Sequence, residues 1–238
     1  MRLIYYLVIF LLCISWTTPH YEEDSLITYT ADPAKIQLFW KDSEDQHLRS
    51  IGRLESWITS QHKKLIFATN GGMYESDGTP VGLFIQNGKV VEPLNKKEVL
   101  KNGSSIPNFY LKPNGVFYID KAGKAFVTET NKFNLSNQIQ WATQSGPMLV
   151  VNRAIHSVFQ KGSPNQVIRS GVGILPNGKV LFAISRSPIN FYDFALYFQQ
   201  QGCANALFLD GFVSRIYLPE KGVRQTDGNF GVIVGVTE

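Results

Sequence analysis

Residues 206–214 read "ALFLDGFVS", and the residues before them give this stretch its place in the fold. The four apolar residues 206–209 predict a buried strand, and Asp210-Gly211 predicts a turn directly after it. Residues 190–201 carry apolar side chains at the spacing of an amphipathic helix, and an apolar run lies before them at 179–185. The sequence therefore predicts a strand–helix–strand crossover that ends in a carboxylate.

A second segment follows the same plan. An alternating strand at 35–40 precedes a helical pattern at 47–61 and a short apolar strand at 64–69, which stops at Asn70-Gly71. If the last strands of the two crossovers run parallel, Asn70 and Asp210 emerge at the same edge of a sheet. Ligands of such sheets usually sit beyond the carboxyl ends of the strands.

The rest of the chain reads as antiparallel hairpins. Turn sequences such as Asn87-Gly88 separate short apolar runs, and a longer strand at 139–151 is broken at 145–147. The polar segment 95–113 is interpreted as a surface loop, and 230–236 as a final strand. These patterns predict a β-rich α+β fold: a mixed sheet with hairpins, two β-α-β-like crossovers and few helices.

The N-terminal segment has the features of an export signal. Arg2 precedes an apolar run at 3–14, which is short for a membrane span. We interpret 1–18 as a signal peptide and 19–238 as one domain, because no linker divides the remainder. Export to the periplasm or the cell exterior is therefore expected. A retained membrane anchor and lipidation of Cys13 are the alternatives, and membrane contact is expected only through this segment, if it stays uncleaved.

Composition excludes several classes of protein. The chain has 238 residues, of which 44% are apolar and 18% charged, with a net charge of +4, so it can bury a sizeable core. Its basic residues are dispersed, which argues against nucleic-acid binding. Removal of the leader leaves Cys203 as the lone cysteine, which we interpret as a small buried apolar residue. No histidine or cysteine spacing predicts a structural zinc site.

Several polar residues interrupt the apolar strands. Asn70-Gly71-Gly72 follows a strand, and its glycines permit close approach of a ligand or simply form a turn. Ser145 stands at the break in the strand 139–151, without the context of a nucleophile elbow. Arg169 lies in an apolar run and needs either a carboxylate or an anionic ligand as partner. Asp210 is either a turn former or an acid/base, and the four histidines give little support to a catalytic triad.

Four motifs, in this order and spacing, resemble the phosphodiester glycosidase family. They are "NGGMY" (70–74), "QSGPMLV" (144–150), "RSGVGILPNGKV" (169–180) and "ALFLDGFVS" (206–214), and the resemblance spans roughly 64–236. It implies hydrolysis of a sugar-1-phosphodiester and a site built from the motif residues. The resemblance implies that one site is lined by Asn70, Gly72, Ser145, Gly146, Arg169, Asp210 and Ser214. The chemistry of the substrate adds Glu75 and Gly71, so we expect Asp210, Asn70 and Glu75 to be catalytic and the others to bind substrate.

The chemistry of such a substrate suggests roles for these residues. Arg169 and the amides of the two glycines would bind the phosphate, and Asp210 would act as acid/base or nucleophile at the anomeric carbon. Glu75, Asp77 and Asp193 are candidates for a second carboxylate, although Asp193 also suits the start of a helix.

Three questions remain open at the level of sequence. Asp210 and Asn70 could instead hold a divalent metal, the one cofactor considered. The family's Leu-Asp-Gly-Gly pattern has Phe212 at its second glycine, which predicts a reshaped pocket. A glycan or sugar-phosphate substrate is expected, and the alternatives are a non-catalytic glycan-binding protein and a metal-dependent esterase or peptidase.

Overall fold

The computed structural model of the chain describes residues 25–99, 106–211 and 213–238. The predicted signal peptide, Cys13 and Phe212 lie outside the described residues.

The described strands form three sheets in which every pairing is antiparallel. The first sheet has the order β1 (Leu26–Ala31), β12 (Val180–Ser185), β11 (Ser170–Ile174), β13 (Ala206–Asp210), β9 (Met148–Val151) and β10 (Ala154–Ile155). The second has the order β15 (Val223–Arg224), β14 (Ile216–Leu218), β3 (Leu65–Asn70), β16 (Ile233–Thr237) and β2 (Ile36–Phe39). The third has the order β5 (Lys89–Glu92), β4 (Phe84–Gln86), β8 (Ile139–Ser145), β6 (Gly115–Asp120) and β7 (Ala125–Glu129).

Two α-helices are present among the described residues, and both begin at side-chain caps. In α1 (Ile51–Ser60) the Ser50 hydroxyl accepts the N–H of Arg53, and in α2 (Phe191–Gln200) the Asn190 side chain accepts the N–H of Asp193. Such caps satisfy backbone donors that have no partner inside the helix. Gly202, with a φ of 81°, follows the end of α2, a position where glycine readily adopts the left-handed conformation. The β-rich α+β class with few helices is confirmed.

The two crossovers have the predicted order but place their strands differently from the prediction. β2 and β3 both pair with β16, and β12 and β13 both pair with β11. The strands of each crossover are therefore parallel but separated by one antiparallel strand, so antiparallel sheets replace the expected mixed sheet. Asn70 and Asp210 end strands in two different sheets, and the prediction that they share one sheet edge is wrong.

The main core lies between the sheets and explains the apolar run before Asp210. Leu207 and Leu209 of β13 pack into this core, together with residues of the other two sheets such as Phe67 and Phe117. Phe208 points to the opposite face of β13, where α2 packs. β13 is thus buried on both faces, which is the physical reason for an uninterrupted apolar sequence. Helix α1 packs on the outer face of the second sheet in the same way.

The segment 95–113 is not simply a surface loop. In its described parts, 95–99 and 106–113, one helical turn at Asn108–Tyr110 packs into the molecule, and Phe109 is only 2% exposed. The sequence suggested a loop because the segment is polar and contains glycine and proline. An aromatic side chain anchors it against the body of the protein instead.

Candidate active site

Asp210 ends β13 with its carboxyl group largely buried. Its Oδ1 accepts the N–H of Gly211 at 2.6 Å. Burial raises the pKa of the Asp210 carboxyl to about 6, and the hydrogen bond from Gly211 opposes part of that rise. The side chain is therefore an acid that titrates close to neutral pH.

A cavity of about 570 Å³ lies in front of this carboxyl group, and we name it the Asp210 cavity. Its wall includes Met73, Tyr74, Glu75, Phe109, Tyr110 and Asp210. Burial, with a further contribution from the charge of Asp210, raises the pKa of Tyr74. The cavity thus combines two carboxyl groups with two tyrosines, a set of groups suited to a polar ligand with an apolar face.

Hydroxyl groups fix the backbone that carries Asp210. The Ser145 hydroxyl donates to the carbonyl of Leu209 at 2.9 Å. The hydroxyls of Ser170 and Ser214 both donate to the carbonyl of Asp210, at 3.1 and 2.8 Å. Ser145, Ser170 and Ser214 are each at most 3% exposed. These serines hold the end of β13 in place.

Asn70 joins the same network from the second sheet. Its Nδ2 donates to the Ser170 hydroxyl at 2.8 Å, and its Oδ1 accepts the N–H of Arg215 at 3.4 Å. The side chain is 1% exposed. Asn70 therefore lies near Asp210 by way of Ser170, and in this structure its amide group binds protein atoms.

The two glycines after Asn70 differ in what they offer a ligand. The N–H of Gly71 donates to the carbonyl of Val232 at 2.7 Å, so it is already used, contrary to the expected phosphate contact. Gly72 has a φ of 155°, and a Cβ there would lie 2.8 Å from the Thr143 hydroxyl. Gly72 is therefore required by the close approach of β8.

Gly146 is also explained by packing. It precedes Pro147 in a cis peptide bond, where the chain passes from β8 to β9. A Cβ at Gly146 would lie 2.5 Å from the Cβ of Asn114 and 3.0 Å from the carbonyl of Phe109. The absent side chain lets the segment that carries Phe109 approach the end of β8.

Arg169 is buried, and its protein partners are carbonyl oxygens and an aromatic ring rather than a carboxylate. Its Nε donates to the carbonyl of Ile189 at 2.8 Å, and its Nη2 donates to the carbonyl of Asn165 at 3.0 Å. The guanidinium lies 3.6 Å from the ring centre of Phe191, and within the described residues Arg169 forms no salt bridge. Burial lowers its pKa to about 10. Carbonyl oxygens and an aromatic face compensate the charge.

Of the three candidates for a second carboxylate, Glu75 lines the Asp210 cavity. The Asp77 carboxylate accepts the N–H of Thr79, which lowers its pKa. Asp193 accepts the amide of Asn190 at 2.7 Å as part of the cap of α2. Asp77 and Asp193 thus have local structural roles.

The histidines and acids that the structure describes do not gather into a further centre. His156 bonds through Nε2 to the carbonyl of Lys112 at 3.0 Å, and through Nδ1 it accepts the N–H of Val158 at 3.2 Å. Within 25–99, 106–211 and 213–238, no three His, Cys, Asp or Glu residues cluster as metal ligands. The Asn70 oxygen that was considered as a ligand accepts a backbone N–H.

Sequence reasoning missed residues that matter to this geometry. Ser170 belongs to a quoted motif, but its short polar side chain between Arg169 and a glycine gave no sign of a contact with Asp210. Tyr110 and Phe109 come from the segment taken for a surface loop. The available signal was the pair of aromatic residues within the otherwise polar segment 95–113, because aromatic side chains tend to pack against the protein.

The fold and the site define a class of protein: a β-rich α+β domain with an acidic cavity at the end of a doubly buried strand. The chain belongs to the phosphodiester glycosidase family, which it matches over residues 63–230. This membership supports a glycosidase-type hydrolase in general.

Individual relatives show how far the similarity extends. The uncharacterized protein YigE of Escherichia coli (strain K12) is 34% identical over 195 residues, which cover 80% of this chain and 73% of that protein. The catalytic domain of zebrafish N-acetylglucosamine-1-phosphodiester α-N-acetylglucosaminidase, auto-inhibited by its pro-peptide, has a TM-score of 0.58 at 14% identity, covering 91% of this chain and 85% of the other. A hypothetical protein from Synechocystis has a TM-score of 0.52 at 15% identity, covering 89% and 59%. At such identities the two structures establish the shared fold.

Neither described helix has the length and apolar character needed to cross a membrane.

Proposed function

We propose that this protein hydrolyses the glycosidic bond of a sugar-1-phosphodiester, with Asp210 as the carboxylate at the anomeric carbon. One observation carries the proposal: the partly buried Asp210, whose pKa is raised to about 6, lines a cavity of about 570 Å³ together with Glu75. Glycoside hydrolysis ordinarily uses a pair of carboxyl groups and passes through an oxocarbenium-like transition state. The family and the name of the zebrafish relative support this substrate class.

Asp210 and Glu75 have different roles in the proposed reaction. Above pH 6 Asp210 is mostly ionised, and its negative charge stabilises the positive charge that develops at the anomeric carbon. The bond from that carbon to the phosphate oxygen breaks, and the phosphate leaves with the electron pair. Water supplies the new hydroxyl group, and Glu75 takes the proton of that water.

Phosphate recognition in this proposal differs from the expectation drawn from sequence. The N–H of Gly71 is occupied, and Arg169 is held by carbonyl oxygens and Phe191. Arg49 lowers the pKa of Tyr74, so its positive charge reaches the wall of the Asp210 cavity. Its Nη1 donates to the side-chain oxygen of Asn229 and its Nη2 to the backbone carbonyl of Asp77. Among the described residues no carboxylate forms a salt bridge with Arg49, so its charge can attract an anion.

The proposal includes export. The apolar leader at 3–14 supports removal of a signal peptide and action on glycans outside the cytoplasm. Expression of the full chain with a C-terminal tag, followed by fractionation and N-terminal sequencing, tests this part. A mature N-terminus near residue 19 outside the cytoplasm is expected, and full-length protein in the cytoplasm would contradict it.

Product analysis tests the reaction. The purified mature chain is incubated with the methyl ester of α-N-acetylglucosamine 1-phosphate, and release of free sugar with methyl phosphate is expected. Glu75→Gln should lower kcat about 100-fold, within the range for loss of a general base, whereas the exposed Glu44→Gln is the matched control and should keep full activity.

Other outcomes separate the alternatives. Binding of the ester without turnover would favour the non-catalytic glycan-binding protein. Release of methanol with sugar 1-phosphate, lost on chelation, would favour a metal-dependent esterase. Full activity of folded Glu75→Gln would contradict the role assigned to Glu75.

A further inference from the structure

One wall of the Asp210 cavity comes from a short hairpin at 73–81, which we name the Glu75 hairpin. Its residues 73–76 line the cavity. The N–H of Glu75 donates to the carbonyl of Thr79 at 2.8 Å, and the N–H of Gly78 donates back to the carbonyl of Glu75 at 2.8 Å. Glu75 itself is exposed, so packing of its own side chain does not fix it. The position of Glu75 therefore depends on the contacts that hold the hairpin.

The segment 40–49, which follows β2, binds the tip of the Glu75 hairpin at two carbonyl oxygens. The Nε1 of the Trp40 indole donates to the carbonyl of Gly78 at 2.9 Å. The Nη2 of Arg49 donates to the carbonyl of Asp77 at 2.6 Å. Two neighbouring carbonyl groups of the tip are thus each held by a side chain from one segment.

Gly78 lets the tip lie directly on this segment. It is buried and has a φ of 94°, and a Cβ there would lie 2.8 Å from the Nδ1 of His47. The His47 ring contacts the Trp40 ring at an angle of 60°, with ring centres 5.1 Å apart. His47 therefore fills the space that a side chain at position 78 would need.

Arg49 has an uncommon backbone conformation at the point where it reaches the hairpin. Its φ is 57°, and the N–H of Ser50 donates to the carbonyl of Leu48 at 2.6 Å around it. A left-handed φ at a bulky residue persists only where surrounding contacts fix it. The carbonyl of Arg49 accepts the N–H of Phe230, and its Nη1 donates to the Asn229 side chain at 3.1 Å. Arg49 is thus fixed on both sides and gives the hairpin tip a rigid support.

We infer that Trp40 and Arg49 are positioning residues for the reaction, because they hold the hairpin that carries Glu75 at the Asp210 cavity. The inference rests on the proposed function, in which Glu75 takes the proton of the attacking water. Segment 40–49 lies outside residues 63–230, which match the phosphodiester glycosidase family. The support for Glu75 therefore comes from a part of the chain that the family match does not include.

Trp40→Phe tests the inference, because it removes the indole N–H, keeps an aromatic ring and leaves the charge of Arg49 in place. With the methyl ester of α-N-acetylglucosamine 1-phosphate, kcat should fall about 10-fold and KM should change less than about 2-fold, since a displaced base slows proton transfer. In the Glu75→Gln protein the same substitution should leave kcat almost unchanged. An equal loss of kcat in both backgrounds would mean a general structural effect and would overturn the inference.

Gly78→Ala is a second variant that acts on the tip itself. The new Cβ would press on His47 and displace the tip, so kcat should fall at least about 10-fold. Gly178→Ala is the matched control, because Gly178 also lies in a hairpin turn, with a φ of 82°, but has open space around it. Trp57→Phe is the control for loss of an indole at a half-buried position. Both controls should keep full activity, and equal losses in Gly78→Ala and Gly178→Ala would overturn the inference.

Hydrogen exchange separates this inference from the proposed reaction, because it needs no turnover. Trp40→Phe should speed exchange of the Glu75 and Gly78 amides about 10-fold, while the amides of β8 stay unchanged. If the wild type does not cleave the ester and this change in exchange is seen, the reaction fails and the support of the hairpin stands. Cleavage by the wild type, with exchange in Trp40→Phe like that of the wild type, would leave the reaction standing and overturn the inference.

Discussion

The ends of β3 and β13 have the same local plan and opposite surroundings. Each strand follows a helix and ends in a polar residue and a glycine, Asn70-Gly71 and Asp210-Gly211. Asn70 is 1% exposed and bonded to protein atoms, whereas the Asp210 carboxyl faces a cavity. The comparison teaches that a polar residue at a strand end can contact a substrate only where neighbouring segments leave a cavity in front of it.

The largest expected effect is on activity, at the end of β13. Asp210→Asn keeps the shape of the side chain and removes its charge, so kcat/KM for the phosphodiester should fall about 1000-fold. The exposed Asp45→Asn is the control, since its ion pair with Lys41 lies at the surface. Full activity of a folded Asp210→Asn protein would show that the two strand ends are alike in lacking catalytic function.

The next effect is on stability and depends on pH. The pKa of Asp210 rises from 3.8 to about 6 on folding, so the folded protein binds its proton more tightly than the unfolded chain. The contribution of Asp210 to stability is therefore highest below pH 4 and falls as pH rises to about 6, by up to about 3 kcal/mol. Urea unfolding between pH 4.5 and 7.5 measures this.

The Asp210→Asn protein is the reference for that measurement. Its free energy of unfolding should exceed that of the wild type by an amount that grows with pH and levels off above pH 6. A difference that stays constant over this range would mean that Asp210 titrates normally and is not buried as described.

A smaller effect is expected at the end of β3. Asn70→Ala removes the amide that donates to the buried hydroxyl of Ser170 and should lower the free energy of unfolding by about 2 kcal/mol. The exposed Asn131→Ala is the matched control. The loss of kcat/KM should stay far below that of Asp210→Asn, because Asn70 acts through Ser170.

A double-mutant cycle sharpens this point. If Asn70 and Ser170 act together, the stability losses of Asn70→Ala and Ser170→Ala should add to more than the loss in the double variant. Strict additivity would show that the hydrogen bond between them contributes little. A loss of activity in Asn70→Ala as large as in Asp210→Asn would make Asn70 a catalytic residue after all.

The sequence predicted much of the fold because local chemistry dictates it. Asn87-Gly88 has φ angles of 51° and 77°, as its hairpin turn requires, and α2 lies within the predicted range 190–201. Strand pairing could not be read in the same way, because it depends on residues far apart in the chain. The insertion of β16 between β2 and β3, and of β11 between β12 and β13, left no local pattern.

The sequence by itself determined the strand–helix–strand units, the doubly buried β13 and the position of an acid at its end, since these follow from hydrophobic period and turn chemistry. Only the tertiary structure decided the surroundings of each polar residue. In the folded chain Asn70 and the serines support the end of β13, and the Arg169 guanidinium packs on the ring of Phe191. Asp210 and Glu75 face one cavity. The physical reason is that burial and open space arise from segments that meet across the fold, such as Phe109 and Gly146.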